Sequence, residues 1–437
     1  MCSTNTEGSY TSFFFNSTEI FPEGICDIPS NPTNGGGGDR CANETAISFL
    51  LGTADAIAVV GCTPPPVRYF SYDAYIDVRT TEEYPYYVGQ PFGDTVSHRT
   101  INTTGTDEDP ANVFDEPMLL IHTGDGAAAR VVSEAYVSSG GIAPEAVSVR
   151  QIDASTVRLW DRSGGKTWQE SQPDILSMVG RMTLPEKASM LDYQKFEEQV
   201  WPVKFYFAYD DAHAKEPLQP PLLPRDNNRV PDETEKFTAS MAALHEKVVQ
   251  EYTAVRGASY LYTQDVNYTA EGFYDDWDVI LDNKDNNSFV LDTRDALYGS
   301  PIMDDMHLVT PGCGAVAIGV IHQLAMGAAY NSVGISTLDP ESSSYIESHW
   351  FADMDLEGSA ARYLPNDDNA RYMFAVDFMP PGMCDPDAQW CVEFNQTSYD
   401  LPKTRFVLGE RVYCLQDTMI GPPADKTVSA RLPIFSF

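Results

Sequence analysis

Six residues have the types and placement for acid–base or metal chemistry: His98, His122, His307, His322, Asp304 and Asp305. A neutral imidazole that ends an apolar strand can take a proton or ligate a metal, and a neighbouring carboxylate can orient it. Residues 304–337 hold four of the six, in DDMHLVTPGCGAVAIGVIHQLAMGAAYNSVGIST. There His322 follows an apolar run, while His307 lies beside Asp304 and Asp305. With one of those carboxylates, His307 and His322 would make a metal or acid–base site. His122 likewise ends the run MLLIH at 118–122, directly before a glycine turn. His98, in GDTVSHRTI, carries half of the H-x-T-x phosphoesterase pattern without its second half. The expected roles are therefore catalytic for His322, His122 and His98, and metal-ligating for His307, Asp304 and Asp305. The alternative for each histidine is a hydrogen-bonded structural imidazole. No GxSxG elbow, HExxH pair or DxDxDG calcium loop is present.

Acidic clusters at 275–278, 282–287 and 353–355 offer oxygen ligands for calcium, so a divalent cation, calcium or zinc, is the expected cofactor class. Tyr274, Trp277, Trp350 and Phe351 lie close to acidic turns, which suits a small-molecule or carbohydrate ligand through ring stacking and carboxylate hydrogen bonds. RSGGKT at 162–167 lacks the first glycine of a phosphate loop, since position 160 is Trp160, and reads as a β-turn between hairpin strands.

These residues must be positioned by a chain of 437 residues, which exceeds one core. The pattern predicts an α+β protein: a βαβ-containing N-terminal domain, then a mainly antiparallel β domain with one long packed helix. Residues 1–62 read as a loop-rich segment stapled by disulfides, 63–215 as the α+β domain, 216–231 as a Pro-rich linker, and 232–437 as the mainly β domain. The βαβ unit runs through MLLIH, a helix over 126–138 capped by Asp125, and a strand over 146–151. A second helix, 232–256, opens on the Asp232/Glu235 capping box and carries a stripe of Phe237, Met241, Leu244, Val248, Tyr252 and Val255. Thr183 and Glu186 predict a further helix over 183–201. Residues 315–322 and 329–337 read as two strands joined by an antiparallel return.

The 64 acidic and 28 basic side chains leave a net charge of −36. Such a surface repels nucleic acid and anionic membranes. The eight cysteines cluster towards the two ends and contain no CxxC pair, which points to disulfides rather than a zinc ribbon. Cys384 and Cys391 bracket a short loop that a bridge would close. Sequons stand at Asn16, Asn43, Asn102, Asn267, Asn286 and Asn395. Together these features predict a secreted or extracellular acidic glycoprotein whose signal peptide lies outside this numbering, with no membrane span. Two functions follow from the same residues: a hydrolase using strand-end histidines with carboxylate partners, or a non-catalytic extracellular binding or cell-surface protein.

Overall fold

The computed structural model describes residues 8–12, 15–16, 45–46, 48–80, 85–91, 95–105, 109, 111–152, 157–162, 165–185, 203–207, 230–268, 296–300, 308–309, 312–338, 345–385, 387–394, 404–415 and 421–437. Their internal contacts divide the chain into two compact units, one within Gly8–Pro224 and one from Arg225–Asp276 with Asp295–Phe437. The architecture is α+β, with mostly antiparallel sheets and few helices.

In the first unit, β1 (Ala56–Cys62), β3 (Pro117–Thr123) and β4 (Val147–Gln151) share a four-stranded sheet with a strand at Val203–Phe207. Helix α1 (Gly126–Ser138) crosses from β3 to β4, which pair in parallel, so the βαβ unit read from the sequence is present. Asp125 caps α1 by accepting from the Ala127 N–H at 3.2 Å. Ala128 and Val132 of the helix pack on Ala56, Ala58, Leu119 and Ile121. A second sheet is built on β2 (Val67–Thr80) and β5 (Ile175–Pro185), which pair antiparallel.

Two local expectations are corrected here. Thr183 does not open a helix: it lies in β5, paired with Tyr69 of β2. Long-range pairing outweighs the local capping signal at this position, since tertiary context overrides local propensity; residues 186–201 lie outside the described residues. Trp168–Ser171 is a single helical turn, not a hairpin strand. Its own capping box accounts for it, because the Thr167 N–H donates to Glu170 Oε2 at 2.8 Å and the Glu170 N–H donates to Thr167 Oγ1 at 3.3 Å.

The second unit is layered. Helix α2 (Glu233–Gln250) covers a five-stranded sheet, and that sheet packs on a six-stranded one. The five-stranded sheet runs β6 (Ser259–Asp265), β15 (Arg431–Ser436), β9 (Cys313–Val320), β12 (Met373–Met379) and β13 (Cys391–Glu393). The other runs β7 (Asn267–Tyr268), β8 (Ala296–Ser300), β14 (Thr404–Leu415), β10 (Ala328–Leu338) and β11 (Tyr345–Ala352), and its sixth strand, Leu308–Val309, pairs with β14 beside this row. Phe237, Met241, Leu244, Val248 and Tyr252 of the helical stripe are buried against Val316, Ile318, Met373 and Phe435. Each such side chain contributes roughly 1.5–3 kcal/mol on burial. Val255, the last stripe position, is 70% exposed. The helix loosens into a π-type turn over Glu251–Val255 and stops at Gly257, whose φ of 71° belongs to the left-handed region.

β9 is buried along its whole length, because α2 lies on one face and the six-stranded sheet on the other. This placement also corrects the expected antiparallel return. β9 is already paired on both sides, with β15 and β12, so β10 has no edge to join. The short helix α3 (His322–Met326), closed by Gly327 at φ 77°, carries the chain across to the other sheet instead.

Cys384 and Cys391 form the predicted bridge, with a Cα separation of 5.7 Å. Among the described residues Cys62 stands outside any disulfide. Closing so short a loop is worth about 2–3 kcal/mol on the chain-entropy model. Reduction should therefore lower the unfolding free energy measured by urea denaturation by that amount, and the Cys384→Ser/Cys391→Ser variant should match the reduced protein. An unchanged midpoint would show that the bridge adds nothing.

Candidate functional site

His322 is the one expected site residue that meets carboxylates in the described structure. It begins α3 and is fully buried. Its Nδ1–H donates to both oxygens of Glu233 at 2.9 Å, and its Nε2–H donates to Glu410 Oε1 at 3.0 Å. Glu233 and Glu410 are each only 1% exposed. Ionised carboxylates accept and do not donate, so a ring that donates to two of them at once is an imidazolium. Burial by itself would lower its pKa. Coulombic attraction to Glu233 and Glu410, with their hydrogen bonds, outweighs burial and raises it to about 10.

Each carboxylate is presented by ordinary patterning. Glu233 lies four residues before Phe237 and eight before Met241, so it extends the buried stripe of α2 by one turn. It also stands in the first turn, where the helix dipole favours a negative charge. Glu410 continues the inward row Phe406 and Leu408 on β14, since alternate residues of a strand share a face. The remaining oxygens are satisfied. Val428 N–H donates to Glu233 Oε2 at 3.1 Å, Ala430 N–H to Glu410 Oε2 at 3.1 Å, and Tyr268 O–H to the same Glu410 oxygen at 2.7 Å. The backbone N–H of His322 donates to Asn331 Oδ1 at 3.2 Å. Burial and the Glu410 charge push the Tyr268 phenol well above its usual value, so it remains a donor.

The chemistry available to this cluster is narrow. An imidazolium with both nitrogens engaged has no lone pair with which to abstract a proton or bind a metal. The two carboxylates sit at opposite ring nitrogens, so neither can share a metal centre with the other through one nitrogen. Among the described residues no group of three or more His, Cys, Asp and Glu side chains is arranged to hold a metal ion. The cluster joins α2, α3, β7, β14 and the segment before β15, and acts as an ionic cross-link.

The other expected site residues are distributed differently. Asp304, Asp305 and His307 lie outside the described residues. His122 and His98 belong to the first unit and His322 to the second. His122, at the end of β3, is 5% exposed and faces Arg150 across the parallel pair; its Nε2 has no hydrogen-bond partner among the described residues. Burial, with a smaller push from Arg150, lowers its pKa to about 3. His98 packs edge-on against Tyr69, with 5.6 Å between ring centres. Burial, then Arg99, lowers its pKa to about 4.

Both rings are thus neutral in the fold, whereas in the unfolded chain they titrate near 6.5. Their contribution to stability is complete above pH 6.5 and is lost as the pH falls towards 3. His122→Leu should flatten the loss of the urea midpoint between pH 7 and pH 4. An unaltered acid slope would show that His122 is not the group responsible.

Of the expected calcium clusters, 275–278 and 282–287 lie outside the described residues. Asp353 is buried while Asp355 is exposed, so these two do not face one point. Of the aromatic residues expected to stack on a sugar, Tyr274 and Trp277 are likewise outside. Trp350 packs directly on its own sheet, where a Cβ at Gly334 would come within 2.4 Å of the indole, and the Arg411 guanidinium lies 4.4 Å from its ring centre.

No family model matches the chain, and no curated protein matches it. Among solved structures it is similar to the VPA0106 protein from Vibrio parahaemolyticus, at 9% identity and a TM-score of 0.39, over 88% of this chain and 87% of that one. It is also similar to an uncharacterized protein from Burkholderia cenocepacia, at 7% identity and a TM-score of 0.36, over 89% of this chain and 75% of that one. No described helix is long and apolar enough to cross a membrane.

Proposed function

We propose that this chain is a non-catalytic binding or surface protein of the extracellular space, not a hydrolase working through His322. The observation that carries the reading is the engagement of both His322 nitrogens by buried carboxylates. A general base needs a lone pair and access to substrate, and this ring has neither. The Cys384–Cys391 bridge supports an oxidising compartment. The net charge of −36 supports a partner that is neutral or cationic, such as a carbohydrate or a small polar molecule, over nucleic acid.

The test is a turnover screen of the whole protein against chromogenic esters, phosphoesters and glycosides, with and without added zinc or calcium. The expected result is no hydrolysis above the heat-denatured control. Saturable turnover of any of the three classes would overturn the proposal.

A further inference from the structure

We infer that Asn267 carries an N-linked oligosaccharide; this rests on the extracellular reading above and names the modified residue. Asn267-Tyr268-Thr269 is an acceptor sequon with no proline at its centre. What distinguishes it is the way its neighbours are held. Val266 is 1% exposed and belongs to the core between the two sheets of the second unit. Tyr268 reaches inward to Glu410, through the 2.7 Å hydrogen bond of the His322 cluster. Side chains alternate along an extended chain, so two inward neighbours force Asn267 outward, and it is exposed. The buried cross-link thereby fixes which side of β7 meets solvent.

Asn102 is the useful contrast. It also lies in a sequon and is also exposed, but its Nδ2 donates to the Val147 carbonyl at 2.7 Å, and its backbone N–H donates to Ser148 Oγ at 2.9 Å. That side-chain nitrogen ties its loop to β4. Asn267 stands on β7, paired with Ser300, and among the described residues β7 is the end strand of its sheet. A glycan there would project from the sheet edge without displacing core atoms, and would shield the edge from pairing with another chain.

The transfer balances with a lipid-linked oligosaccharide pyrophosphate as co-reactant. Asn267 Nδ2 attacks the anomeric carbon and the N–C bond forms. The bond from that carbon to the pyrophosphate oxygen breaks, and the lipid pyrophosphate leaves with the electron pair. The displaced amide proton passes to a base of the transferring enzyme, and nothing is oxidised or reduced.

The experiment uses the full chain secreted from eukaryotic cells. It is digested without reduction, treated with peptide N-glycosidase in heavy-oxygen water, and mapped by mass spectrometry. The expected result is conversion of Asn267 to labelled aspartate in most copies. The intact Asn267→Gln protein should lose the mass of one oligosaccharide and keep its melting temperature. An unlabelled Asn267 overturns the inference. The same digest reports the Cys384–Cys391 bridge. A bridged peptide beside a bare Asn267 removes this site alone, whereas reduced cysteines beside a bare Asn267 remove the extracellular reading as well.

Discussion

Replacing His322 with glutamine should destabilise the second unit by about 3–5 kcal/mol, the range for removing one partner of a buried ion pair. The substitution leaves Glu233 and Glu410 facing each other in the core without the cation between them. Neither can relax into water, since each is held by a backbone N–H from the segment before β15. Urea denaturation at pH 7 measures the loss directly. The double variant His322→Gln/Glu410→Gln should lose less than the sum of its parts, because neutralising Glu410 relieves the repulsion the first substitution creates. An all-apolar replacement of the three side chains would not rescue the unit. It would leave the backbone N–H groups of Val428 and Ala430 without their acceptors. A His322→Gln protein with an unchanged midpoint would show that the cluster is not a cross-link, and would return His322 to the list of candidate catalytic groups.

The second large effect is alkaline. His322 titrates at about 10 in the folded protein and near 6.5 when unfolded. Below pH 6.5 both states hold the proton and the cluster's contribution is complete. Between 6.5 and 10 only the folded state holds it, so stability falls as the pH rises through that window. The loss should reach a few kcal/mol by pH 10, following from about 1.4 kcal/mol for each pH unit of difference. Melting temperatures followed by circular dichroism from pH 6 to pH 10 would record it. Tyrosine, lysine and cysteine groups also titrate near the top of this range, so the informative quantity is the difference between wild type and His322→Gln. The variant should show the flatter profile, and parallel profiles would exclude His322 as the titrating group. His98 and His122 predict the opposite response in the other unit, where acid rather than alkali removes stability. The two ends of the pH scale should therefore unfold different parts of the chain first.

Much of the fold is legible from local pattern. The stripe of α2 and its Asp232 cap define a helix without reference to anything else, because an 18-residue amphipathic helix repeats its signal every turn. The β3–α1–β4 unit is equally local: an apolar run, a capped turn and a second run, joined within 35 residues. Thr183 marks where that logic ends. It sits beside a plausible short-range capping signal, but a strand from over a hundred residues earlier determined the outcome. At Trp168 the deciding signal was local, the Thr167/Glu170 capping pair three residues apart.

The candidate site divides along the same line. His322 stands out in the sequence because it follows a buried run, but its partners are 89 and 88 residues away. In retrospect both left a trace: Glu233 occupies an apolar position of a helical stripe, and Glu410 an inward position of a strand. In a chain with 64 acidic residues such traces become visible only once the buried faces are known.

By itself the sequence determined the secondary elements that repeat a strong period, the acidity of the surface and the closeness of Cys384 to Cys391. The tertiary structure alone decided that His322 lies between two carboxylates and that Asn267 faces outward. The physical reason is that periodicity and short loops are local, whereas a buried charge is set by whichever distant groups packing brings within hydrogen-bond reach.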